Sequence, residues 1–160
     1  VVELLFATGI RVSELCELSC DAVDLKQATI KVFGKGSKER VIQICSVEVL
    51  KILRQYQRLF APSECFFINR LGNRLSSQSV RLLIKRCREE TGIGKKITPH
   101  TFRHTFATLL LEEDVDIKYI QNLLGHSSIT TTQIYTHVNM NKQKKILSSK
   151  HPRKKMEMEE

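Results

Sequence analysis

The apolar positions of this chain change period several times, and each change marks an element. Val1 to Ala7 is almost wholly apolar and reads as the end of a buried helix, interrupted by Thr8 and Gly9. Val12, Leu15 and Leu18 recur every three residues, which predicts a short helix over Arg11 to Leu18. Thr29 to Phe33 and Arg40 to Ile44 are rich in β-branched residues and roughly alternate, so both predict strands. Between them lies GKGSKE, Gly34 to Glu39, whose two glycines and charges predict a solvent-exposed hairpin tip.

Helical spacing then dominates. Val47 to Phe60 has it, and Pro62 marks its end. Phe66 to Ile68 is a short apolar run, followed by a turn at Leu71, Gly72 and Asn73. Ser76 or Ser77 can cap a helix running to about Glu90, closed by Gly92 and Gly94. Thr98 followed by Pro99 is an N-cap with proline at the first helical position, and that helix continues through Leu111. Another spans about Asp116 to Leu124 and stops at Gly125. Ser127 or Ser128 can cap the segment carrying Tyr135, and Asn141 to Leu147 predicts a last helix. With no internal repeat and no dividing linker, the expectation is a single α+β domain: mostly helical, with one small antiparallel sheet.

Composition sharpens this picture. The 160 residues are 41% hydrophobic, enough for a real core, and no apolar run is long enough to span a membrane. The chain starts at Val1 with neither methionine nor leader, so it reads as a fragment. The formal net charge is +9. From Ser148 onward four basic residues meet three acidic ones, a net +1, which leaves +8 for Val1 to Leu147. The folded part is therefore basic, as a partner carrying phosphates requires, and residues 148–160 read as a polar charged tail. The five cysteines are odd in number and contain no CxxC, so disulfide and zinc frameworks are poor readings; idle thiols in a reducing cytoplasm fit better.

Residues suited to phosphate chemistry stand at marked places. Arg11 opens a helix, Lys35 sits on the hairpin tip, His100 and Arg103 lie one helical turn apart, His126 follows a helix-ending glycine, and Tyr135 lies nine residues further on. Singly, each has an ordinary explanation. Arg11 can be an ion-pair partner of Glu14, Lys35 a solvated turn lysine, and Tyr135 a packing residue. His100 and His104 have the i, i+4 spacing of a zinc pair, which would suit a zinc hydrolase, yet Arg103 lies between them and no third ligand is evident.

Taken together, four segments resemble the signature boxes of the tyrosine recombinases, Xer-type recombinases and phage or transposon integrases among them. They are ATGIRVSEL (Ala7 to Leu15), FGKGSKERVIQI (Phe33 to Ile44), HTFRHTFATLLL (His100 to Leu111) and LLGHSSITTTQIYTHV (Leu123 to Val138). The resemblance runs from about Leu4 to Leu147. It implies a tyrosine recombinase catalytic fold over residues 1–147, without the N-terminal core-binding domain usual in the family. It also implies that Arg11, Lys35, His100, Arg103, His126 and Tyr135 are catalytic. Arg11, Arg103 and His126 would bind the DNA phosphate, and Glu14 resembles the acidic residue that helps order the site.

These roles suit the side chains. A tyrosine hydroxyl has an ordinary pKa of about 10 and needs a base or a cationic setting to attack phosphorus. His100 can take its proton, the guanidinium groups can grip the equatorial oxygens, and Lys35 can protonate the leaving 5′ oxygen. The resemblance implies a 3′-phosphotyrosyl intermediate, with no metal or other cofactor and no ATP. The expected partner is double-stranded DNA, bound by a homotetramer in the full-length protein; neither a membrane nor a small-molecule substrate is expected. The expected location is the cytoplasm, in association with the nucleoid. Two alternatives use the same features: a type IB topoisomerase-like nicking and resealing activity, and a catalytically silent DNA-binding module. The recombinase reading predicts that Arg11, Lys35, His100, Arg103 and His126 surround one concave basic surface.

Overall fold

The computed structural model describes residues 1–34, 39–60 and 64–125. Helix α1 (Val2–Thr8) ends at Gly9, which adopts the left-handed conformation at φ 61°. That conformation is easy only for glycine, and here it has a second reason: a Cβ at Gly9 would lie 2.7 Å from Phe106 and 2.8 Å from Leu124. Helix α2 (Val12–Cys16) follows, with Arg11 as its extended N-cap. It stops two residues before the expected Leu18. The apolar spacing still holds, because Leu15 and Leu18 are both buried. Leu18 reaches the core through a turn, its N–H donating to the Leu15 carbonyl, rather than through continued helix.

The sheet has three antiparallel strands in the order β1 (Val23–Asp24), β2 (Thr29–Phe33), β3 (Glu39–Gln43). Strand β2 has its expected bounds, and β3 begins one residue earlier than its composition suggested. Strand β1 was not expected, being two residues long and lacking any alternation to read. In the register, Ile30 faces Ile42 and Val32 faces Arg40. Ile30, Val32 and Ile42 are buried, whereas Lys31, Phe33, Val41 and Gln43 are exposed. The period of two thus sorts the sheet into a core face and a solvent face.

Helix α3 (Val47–Leu59) starts at Ser46, whose hydroxyl accepts from the Val49 N–H. Helix α4 (Ser77–Glu90) starts at Ser76, which accepts from Ser79 N–H. Helix α5 (Pro99–Glu112) starts at Thr98 with proline in its first turn, as expected. Helix α6 (Ile117–Leu124) is capped by Asp116 and ends at left-handed Gly125. The main core gathers Leu4, Leu5, Ile10, Leu15, Ile30, Ile42, Val49, Leu53, Phe66, Phe67, Val80 and Ile84. A smaller one, Ala107, Ile120 and Leu124, joins α5 to α6. None of the five cysteines is joined in a disulfide. Burial pushes the Cys16 thiol pKa up, which keeps it protonated and unreactive. Among the described residues, no group of His, Cys, Asp and Glu is arranged to hold a metal ion, and no helix is long and apolar enough to cross a membrane.

Candidate active site

The site is built around the carboxyl end of α6. A helix leaves its last carbonyls without intrahelical donors, and its dipole makes that end negative. Here three consecutive carbonyls each receive an arginine. Arg40 Nε donates to the Leu123 carbonyl at 3.2 Å, Arg103 Nη2 to Leu124 at 2.6 Å, and Arg11 Nη2 to Gly125 at 2.8 Å. The three arginines come from distant parts of the chain: Arg11 from the start of α2, Arg40 from β3 and Arg103 from α5. Gly125 makes the approach possible. Its left-handed backbone ends the helix, and a Cβ there would lie 2.9 Å from Arg40 Nη1.

Arg103 is buried, and its Nη1 donates to the Gly9 carbonyl at 2.6 Å. It therefore ties the left-handed turn after α1 to the left-handed end of α6. Arg11 is more open, with about a third of its side chain (34%) exposed. Its position is fixed from within its own helix. The Arg11 backbone N–H donates to Glu14 Oε2 at 2.9 Å, and its Nη1 donates to Glu14 Oε1 at 2.8 Å. The ordinary ion pair open to Arg11 is thus present, but it aims the guanidinium at α6 rather than leaving it on the surface.

Glu14 is nearly inaccessible, with 4% of its side chain exposed. Arg40 spans both of its oxygens, Nη1 to Oε1 and Nη2 to Oε2, each at 2.8 Å. Burial pushes the Glu14 carboxyl pKa up. The hydrogen bonds from Arg40 and from the Arg11 backbone and side chain, with the charge of Arg40, outweigh it and hold the group at about 2.

The described residues thus bring Arg11, Glu14 and Arg103 together. His100 lies on the first turn of α5, one turn before Arg103, with its side chain exposed to solvent. His104 follows on the same helix, half-buried. Lys35, His126 and Tyr135 lie outside the described residues, as do the expected final helix and the tail. Arg40 is the member of this cluster that the motif reading passed over, although it lies inside the second box. The signal was available: along β3 the period of two puts Arg40 on the same face as the buried Ile42. An arginine on a core-facing position needs buried partners.

The described arrangement is three guanidinium groups at one helix end, two of them, Arg11 and Arg40, paired with the buried Glu14 carboxylate. The model of the phage integrase family matches the chain over residues 1–142. The chain belongs to the phage integrase family. A tyrosine recombinase of Agathobacter rectalis is 56% identical over 158 residues, covering 96% of this chain and 52% of that protein. Among solved structures, XerA recombinase matches with a TM-score of 0.77 and 36% identity, over 93% of this chain and 56% of that one. The Tn1549 transposon integrase, in complex with circular intermediate DNA, matches with a TM-score of 0.68 and 25% identity, over 84% of this chain and 51% of that one. As a phage integrase family member, this chain spans about half the length of these relatives. The fold is that of the tyrosine recombinases, mostly helical with a small antiparallel sheet.

Proposed function

We propose that residues 1–147 are the catalytic domain of a site-specific DNA recombinase or integrase, and that residues 148–160 are a polar charged tail. The observation that carries this reading is the convergence of Arg11 and Arg103, 92 positions apart in sequence, on the adjacent carbonyls of Leu124 and Gly125. Two fixed guanidinium groups on adjacent carbonyls suit two oxygens of one phosphate. The similarity to a named tyrosine recombinase, and to an integrase solved with DNA, supports the same reading.

In this proposal the phosphodiester of double-stranded DNA lies against Arg11 and Arg103, with a further hydrogen bond from His126. The Tyr135 hydroxyl attacks phosphorus while His100 takes its proton. A bond forms between the tyrosine oxygen and phosphorus, and the bond from phosphorus to the 5′ oxygen breaks. Lys35 gives that oxygen a proton, so a free 5′ hydroxyl leaves and a 3′-phosphotyrosyl link remains. The reaction reverses when a 5′ hydroxyl of another strand attacks the link, which rejoins DNA without ATP because the phosphoester bond was exchanged and not hydrolysed. Negative charge grows on the equatorial oxygens during attack. Preorganised cations stabilise it without reorganising at the moment of reaction, the electrostatic part that a metal ion plays in other phosphoryl-transfer sites. The full-length protein would act as a homotetramer on DNA.

The test is incubation of the protein with a nicked suicide duplex, followed by a denaturing gel. The duplex is built around the site that the protein selects from a random-sequence library. A slow-migrating protein–DNA adduct is expected from the wild type and not from Tyr135→Phe. Binding without any adduct would favour a silent DNA-binding module.

A further inference from the structure

The proposed phosphate-handling residues leave one strong feature unexplained. Arg40 makes the two-pronged contact to Glu14, whereas Arg11, the residue facing solvent, shares only one carboxylate oxygen through its side chain. A charge count explains why this matters. Glu14 carries one negative charge against the two positive charges of Arg11 and Arg40, so the trio has a net charge of about +1 at neutral pH. With Arg40 removed, Arg11 and Glu14 form a neutral pair. A phosphate would then meet a guanidinium whose charge is cancelled by a carboxylate 2.8 Å away.

We propose that Arg40 is a positioning residue: it neutralises Glu14 so that Arg11 keeps its positive charge for a phosphate, and it pins the end of α6 through the Leu123 carbonyl. The inference rests on the recombinase reading above. Three observations support it. Arg40 is largely enclosed, with 14% of its side chain exposed, so water screens its interaction with Glu14 weakly. Its Nε contact to Leu123 and the Arg11 contact to Gly125 act on the same helix end. It also lies five residues after Lys35 in sequence, at a core-facing position of β3. Arg40 thus couples the second box to the first and the fourth.

The experiment uses the full-length protein and the nicked duplex defined above, at a series of DNA concentrations. It records the maximal rate of adduct formation, the half-saturating DNA concentration and the thermal unfolding midpoint. The variants are Arg40→Gln, Arg40→Lys, Glu14→Gln and the double variant Glu14→Gln/Arg40→Gln. Arg40→Gln is expected to slow adduct formation by on the order of 10- to 100-fold, as for residues that orient a directly acting group. Adding Glu14→Gln to it is expected to restore at least about threefold, because no carboxylate then cancels Arg11. A residue that served only to hold the fold would instead lose rate in step with the unfolding midpoint, and the second substitution would bring back stability without rate. Arg40→Gln cleaving at the wild-type rate, or a double variant no faster than Arg40→Gln, would overturn the proposal. Should Arg40→Gln not fold, Arg40→Lys decides, since it keeps the charge and loses the fork. A rate within about tenfold of wild type supports charge compensation, and a slower one overturns it. If the wild type forms no adduct, the recombinase reading fails and this inference falls with it, an outcome distinct from an active wild type with an indifferent Arg40→Gln.

Discussion

Glu14 and Arg103 are the two charged side chains buried among the described residues, and they set the behaviour of the site at the scale of single groups. Glu14 has a pKa near 2 in the folded chain against an ordinary value of 4.5. A depressed carboxyl pKa stabilises the fold where the group is ionised in both states. That contribution, on the order of 3 kcal/mol, is therefore full above about pH 4.5 and is lost as pH falls toward 2. Urea unfolding across this range should show stability dropping steeply in the wild type and with a shallower slope in Glu14→Gln. Equal slopes would contradict the pairing. Arg103 should behave differently. Arg103→Ala removes a charged donor proposed to face the developing charge, so adduct formation should slow by about 10²–10³-fold. It also leaves the Gly9 and Leu124 carbonyls without that donor, so the unfolding midpoint should fall too. Gel quantitation beside thermal unfolding separates the two effects.

At the scale of elements, the two left-handed glycines are where the chain turns into the site. A Cβ at Gly125 would meet Arg40, and one at Gly9 would meet Phe106 and Leu124, both at less than 3.0 Å. Gly9→Ala should destabilise the fold by roughly 1 kcal/mol or more, from the backbone strain and the clash with partly buried Phe106 and buried Leu124. Denaturant unfolding measures it; an unchanged midpoint would show that α5 and α6 yield easily. Ala28 offers the converse, since it holds φ 56° without being glycine. Ala28→Gly should therefore stabilise by about 0.5–1 kcal/mol, read in the same assay. These elements also show what a sequence reveals. The cap Thr98, the cap at Ser76 (one of two serines offered) and the stop at Gly125 were legible because capping is local chemistry, written within four residues of each helix end. Strand β1 and the turn that delivers Leu18 were not, because both are imposed by neighbours distant in sequence. In the site, Arg11, Arg103 and Glu14 were legible through the family's boxes. The role of Arg40 was hidden because its partners Glu14 and Leu123 lie 26 and 83 residues away.

For the whole molecule, the net charge bears on the proposed DNA partner. The +8 carried by Val1 to Leu147 should make DNA binding fall steeply with salt, since each phosphate neutralised releases condensed counterions and contributes a slope of about −0.9 in log K against log salt. A titration from low to high salt tests this, and an affinity indifferent to salt would contradict a phosphate-led interface. The proposed chemistry, however, turns on Tyr135. The direct measurement is to trap the adduct on the suicide duplex, trim its DNA with nuclease, digest with trypsin and locate the remaining nucleotide by peptide fragmentation. Fragmentation is needed because Tyr119 and Tyr135 share one tryptic peptide, bounded by Lys118 and Lys142. A nucleotide joined through its 3′ phosphate to Tyr135 is expected. A nucleotide on Tyr119, or on any residue other than Tyr135, would contradict the proposal.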